Sequence, residues 1–170
     1  MAVSSAIHIK VVALAAVLGL APLPAVAGHL TAAKMQQQYR KLETKLAHTH
    51  GAKRAQLLAR LAGLDVDQAY ANFQLQKLMA GSQALNLAQQ HAQAAMQALA
   101  TEAAHGKSKN MRKVELQFHK ITFGLRGLMN IAPYQAAPRI RAVRNYFSQL
   151  RSKLLQWMFG PAPKLQTQKH

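Results

Sequence analysis

Residues 111–128 read MRKVELQFHKITFGLRGL, and residues 140–157 read IRAVRNYFSQLRSKLLQW. In the first, Met111, Val114, Phe118, Ile121, Leu125 and Leu128 advance by steps of three, four, three, four and three. In the second, Ile140, Val143, Phe147, Leu150, Leu154 and Trp157 repeat the series. Such steps average close to the helical period, so each set lines one face of a helix. A short connector built on NIAPYQAAP (130–138) separates the two segments, and neighbouring amphipathic helices so joined usually pair. No segment of the chain alternates with period two, which excludes a sheet. The fold class expected is all-α, a single bundle of four to five amphipathic helices.

The ends of these two segments are marked. Asn110 can cap the first, Pro138 sits where a proline helps the second begin, and Gly160-Pro161 should end it. On the second helix Asn145, Gln149, Ser152 and Gln156 fall opposite the seam, while Arg144 and Arg151 line one edge with Arg141 nearby. Phe147 and Trp157 therefore belong to the core, and the arginines form a border whose stems can close it.

Upstream, Thr31 can cap a helix carrying Met35, Tyr39, Leu42 and Leu46, which Gly51 interrupts. A short basic segment, 52–62, places Leu57, Leu58 and Leu61 before Gly63. Asp65 reads as the cap of a further helix to Ala80, burying Val66, Ala69, Tyr70 and Phe73. Gly81-Ser82 reads as its stop and as the cap of a helix over 83–104, ended by Gly106. That helix carries Leu85, Ala88, Ala92, Ala95 and Leu99, a stripe suited to close packing against a neighbour. It lies in a stretch from Leu78 to Gly106 that contains no Lys or Arg.

The first 30 residues read as an address. Lys10 gives a positive start, Val11 to Ala21 is an uninterrupted apolar run, and Ala25-Val26-Ala27 offers small residues for cleavage after Pro22 and Pro24. A membrane span needs about 18 or more apolar residues, more than this run holds. The expected organisation is a cleaved signal peptide at 1–27, a helical domain at 28–160 and a flexible basic tail at 161–170, with no transmembrane anchor in the mature chain. The expected location is outside the cytoplasm, periplasmic or extracellular. The chain has no cysteine, so disulfides and thiolate metal sites are excluded.

Without Lys10, 21 Lys and Arg face five acids, a net charge of +16. Glutamine, lysine and arginine do the work that Glu and Lys share on most helical surfaces. The imbalance implies anionic surroundings or partners. An acidic milieu would also explain it, because protonated carboxylates lose their value as surface charges.

No nucleophile elbow, His-Glu-x-x-His or phosphate loop is present. Glu115 and His119 share a helix face but lack further acids to complete a metal site, and a surface pair is the simpler reading. His48 and His50, two apart, would face different ways on a helix and suit its C-terminal dipole better than a metal. Asp65 and Asp67 read as dipole partners flanking a helix start. A di-iron bundle centre needs more Glu than the three after residue 27. No catalytic, metal or cofactor-binding residue is therefore assigned, and no cofactor is expected.

Two stretches resemble known families. "LRSKLLQWMFG" (150–160) resembles the ending of uncharacterised exported helical proteins of acidobacteria, a likeness that implies export and no particular activity. "HLTAAKMQQQ" (29–38) resembles the opening of the periplasmic LTxxQ chaperone-like family. That resemblance implies a small, basic, exported helical protein that protects unfolded clients or senses envelope stress. Leu30-Thr31 match, Lys34 stands where that family has Gln, and the usual second copy of the motif is absent.

The expected function is non-catalytic binding of anionic envelope components, lipid or polysaccharide, or chaperone-like action on envelope client proteins. The candidate anion-binding edge is Arg112, Lys113, Lys120 and Arg126 on one helix with Arg141, Arg144 and Arg151 on the next. Extracellular nucleic-acid or other polyanion binding is the alternative, favoured by charge and disfavoured by address. An enzyme of unrecognised type is the other. Oligomeric state is not readable.

Overall fold

The structure, a computed structural model, describes residues 32–103 and 108–160. The expected signal peptide, Thr31 cap, Gly106 stop and basic tail lie outside the described residues. Within them are five α-helices: α1 (Ala32–Ala47), α2 (Gly51–Gln74), α3 (Leu78–Ala103), α4 (Ser108–Leu128) and α5 (Ala137–Phe159). A 3₁₀ turn, Tyr134–Ala136, leads into α5. The described residues contain no strand.

Helices α2 to α5 form a four-cornered bundle. Helix α2 packs against α3 and α4, α5 packs against α4 and α3, and α3 and α4 barely touch. Consecutive though they are in the chain, α3 and α4 thus occupy opposite corners. The α4 and α5 seams meet each other inside the molecule: Phe118 and Phe147, both fully buried, stand edge to face with ring centres 5.4 Å apart. All six seam residues of α4 are buried, as are Ile140, Val143, Phe147 and Leu154 of α5, with Leu150 and Trp157 partly so. Helix α5 opens with proline in its first turn and ends at Gly160, whose N–H bonds to the Gln156 carbonyl.

The α2–α3 pair is held by small side chains. In α2, Ala52, Ala55, Ala59, Ala62, Val66, Ala69 and Phe73 are all buried, stepping three, four, three, four, three, four. In α3, Leu85, Ala88, Ala92, Ala95 and Leu99 are fully buried. Alanine seams let two backbones approach closely, and packing of such a stripe dominates helix stability over local propensity.

That ladder corrects the expected break at Gly63. Helix α2 runs unbroken from Gly51 to Gln74, and Asp65 lies inside it, fully buried, rather than capping a new helix. A mid-helix glycine costs roughly 1 kcal/mol relative to alanine, too little to end a helix whose seam continues on both sides. Gly63 instead lies against α4: a Cβ there would come 2.8 Å from Gln117 Nε2.

The actual stop is at Gln76, which adopts φ 59°. The Gln76 N–H bonds to the Phe73 carbonyl and the Lys77 N–H to the Asn72 carbonyl. This is the left-handed helix ending usually built on glycine. Gly81, expected as a stop, sits in the first turns of α3 and makes room for a ring, since a Cβ there would lie 2.5 Å from Phe73 Cε1. Asn110, expected as a cap, is likewise inside α4, where its Oδ1 accepts from Gln56 Nε2 at 3.1 Å.

Helix α1 is an addition to the four-cornered bundle. It docks on α2 and has no fully buried residue. Its C-terminal end is fastened by Arg54, whose Nη1 donates to the Leu46 carbonyl at 2.9 Å. A guanidinium at a helix C-terminus also meets the negative end of the dipole.

Candidate functional site

The expected cationic edge divides on the structure. Arg112, Lys113, Lys120 and Arg126 are all exposed on α4, on the side turned away from its seam. Lys109 and His119 are exposed there too. Between these cations project Leu116 and Phe123, 50% and 71% exposed, seven residues apart and so nearly aligned along the helix. Helix α4 therefore has two apolar faces, one forming the core and one bare and bordered by positive charge. Neither hydrophobe belonged to the expected edge. The signal was in the sequence, since both fall midway between seam positions.

Of the three arginines of α5, Arg151 and Arg144 do not join this face as free charges. Arg151 Nε donates to Glu115 Oε1 of α4 at 2.5 Å, with the two side chains 37% and 13% exposed. Glu115 thus pairs across the α4–α5 seam rather than with His119. Arg144 is half-buried, with Nη1 reaching the Met129 sulfur at 4.0 Å, and Arg141 is exposed. Arg139, outside the expected set, binds Asn86 and Gln89 and ties α5 to α3.

A second feature lies where α1 and α4 flank α2. Between them is a groove of about 580 Å³. Leu42, Leu64, Val66 and Ile121 supply its apolar walls, and Gly63 and Gly124 leave it unfilled. Lys41 and Lys45 of α1, Arg60 of α2 and Lys120 of α4 stand around it, and Asp67 is the one carboxylate among its lining residues. Lys120 belongs both to this rim and to the outward face of α4. The groove could not be read from the sequence, because it depends on where α1 docks.

The third feature is a buried polar node. His91 Nδ1 lies 2.7 Å from Asp65 Oδ2, and the Tyr39 hydroxyl engages the same carboxyl group, so that α1, α2 and α3 meet there. Asp65 Oδ1 has no hydrogen-bond partner. Burial raises the Asp65 pKa above the usual carboxylate value, although His91 and Tyr39 pull it down, and nearby Glu43 adds a small push upward. Burial, then the charges of Asp65 and Glu43, hold the Tyr39 hydroxyl firmly protonated. None of the three lines the groove. The node joins α1, α2 and α3.

Among the described residues no group of three His, Asp or Glu is placed to hold a metal ion, and no helix is long and apolar enough to cross a membrane. No protein-family model matches the chain, and no curated protein or solved structure matches it either.

Proposed function

We propose that the protein is an exported, non-catalytic binder of anionic envelope lipid that rests on a lipid surface through the outward face of α4. The observation that carries this reading is the pairing of exposed Leu116 and Phe123 with Arg112, Lys113, Lys120 and Arg126. Inserting two large apolar side chains among headgroups recovers part of the roughly 1.5–3 kcal/mol that full burial of each gives. Each cation near an anionic leaflet adds about 1 kcal/mol. Binding to a lipid surface scales with the buried apolar area and the electrostatic attraction together. The leader read at residues 1–27 supports the address, and the charge of +16 that follows it supports an anionic partner. Nucleic acid is the weaker reading, because Phe118, Phe147 and Trp157 are wholly or partly in the core, leaving few aromatics for base stacking.

Sedimentation with vesicles tests it. The protein should bind vesicles of phosphatidylglycerol and phosphatidylcholine, bind phosphatidylcholine alone far less, and release as salt rises. Phe123→Ser should weaken binding several-fold with helicity unchanged. Equal binding to neutral vesicles, or none to anionic ones, would remove the reading. Suppression of client aggregation without vesicle binding would put the chaperone-like reading in its place.

A further inference from the structure

We propose that the groove between α1, α2 and α4 is a binding site for a single-chain anionic amphiphile of the fatty-acid class. The inference extends the lipid-surface reading to a second, separate site, and it stands on different residues apart from Lys120.

The groove exists because α1 and α4 both pack on α2 without closing over the space between them. At about 580 Å³ it falls within the roughly 300–1,000 Å³ usual for small-molecule sites. On each flanking helix the lining residues span seven steps, from 38 to 45 on α1 and from 117 to 124 on α4. At a rise of ~1.5 Å per residue this is a trough about 10 Å long, the scale of one short extended acyl chain.

Its chemistry is divided between walls and rim. Leu42, Leu64, Val66 and Ile121 offer only methyl and methylene surface. Gly124 is the telling residue. A Cβ there would meet nothing within 4 Å, so no packing requirement explains the missing side chain. A glycine inside a helix costs roughly 1 kcal/mol against alanine, and its effect here is to leave the trough open at α4. The rim supplies cations from three helices, Lys41 and Lys45, Arg60 and Lys120, against the single carboxylate of Asp67. An apolar trough beneath a cationic rim is complementary to a hydrocarbon tail bearing a carboxylate head. A cationic amphiphile of the same length meets repulsion at the rim, and a neutral one gains nothing there.

Two sources offer this chemistry: a free fatty acid, or an acyl chain drawn from a bilayer on which α4 rests. Titration of the protein with dodecanoate below its micellar concentration, followed by calorimetry, isolates the first. Saturable binding with one site is expected, and dodecyltrimethylammonium should bind at least tenfold more weakly. Gly124→Leu should lower dodecanoate affinity at least tenfold, because the new side chain occupies the trough while improving helix propensity. Lys41→Gln combined with Lys45→Gln changes only exposed positions and should lower affinity several-fold. Phe123→Ser should leave dodecanoate binding intact while weakening vesicle binding, which separates this site from the surface reading. If dodecanoate binds only when presented in vesicles, the bilayer is the source and Gly124→Leu should reduce that uptake. Unchanged affinity in Gly124→Leu, or equal affinity for the cationic amphiphile, overturns the proposal. So does the absence of dodecanoate binding in both arms.

Discussion

His91 of α3 reaches across the alanine seam to Asp65 of α2, with Nδ1 2.7 Å from Oδ2, at a point where the carboxylate is wholly out of solvent. This places the one buried charged side chain among the described residues at the junction of α1, α2 and α3. Because burial dominates, the folded protein holds the Asp65 proton more tightly than the unfolded chain does.

The pH dependence follows from that direction. Between the unfolded pKa, about 3.9, and the raised folded value, the native state binds more protons than the unfolded state. The contribution of Asp65 to stability is therefore greatest below about pH 3.9 and is lost as pH rises through the folded pKa. Measured by urea unfolding across pH 3.5 to 7, the wild type should lose stability relative to Asp65→Asn as pH rises. A wild type that gains on the variant over that range would contradict the burial argument.

Tyr39→Phe removes a hydroxyl that steadies the ionised carboxylate. The expected cost is about 1 kcal/mol at neutral pH, and less below pH 4, where Asp65 is protonated. Removing Tyr39 as a partner also raises the Asp65 pKa further, which stretches the pH window of the previous experiment upward. Hydrogen exchange in α1 should accelerate more than in α4, since α1 has no fully buried residue and leans on this node and on Arg54.

Gly63→Ala and Gly81→Ala should have opposite consequences. At Gly63 the added methyl meets only the mobile end of Gln117, so a helix-propensity gain of up to about 1 kcal/mol prevails. At Gly81 it meets three atoms of the Phe73 ring within 2.7 Å, and Phe73 is fully buried. Overpacking of this kind costs about 1–3 kcal/mol. Thermal unfolding of the two variants side by side checks the pair.

Gln76→Gly should stabilise the protein by about 1 kcal/mol, because Gln76 occupies φ 59° and glycine adopts that region without penalty. Gln76→Val should destabilise by more than that, since a β-branched residue fits the left-handed region worst. Denaturant midpoints at constant slope give the measurement.

The α4 and α5 seams were legible because their three-and-four stepping is uninterrupted and their packing is mutual. The α3 stripe was legible for the same reason. Reading α2 failed where a local signal opposed a tertiary one. Gly63 followed by Asp65 has the form of a stop and a cap, yet Ala52 through Phe73 form one continuous ladder, and burial along it outweighs both. The true stop at Gln76 carries no residue that announces it: the left-handed turn falls on a glutamine, and Phe73 just before it packs where Gly81 leaves room. For the cationic face, the charges were visible individually. Arg151 lost its freedom to Glu115, a partner 36 positions away that only tertiary structure supplies.

Helix α3 contributes no lysine or arginine between Leu78 and Glu102, and its outer positions are largely glutamine: Gln83, Gln90, Gln93 and Gln97. It stands at the corner opposite α4, so the glutamine-bearing face of α3 and the cationic face of α4 point away from each other. A layer of such molecules lying α4-down on an anionic sheet would turn the glutamines of α3 toward the solvent. At that corner the layer would meet water with side-chain amides, which hydrogen-bond without adding charge.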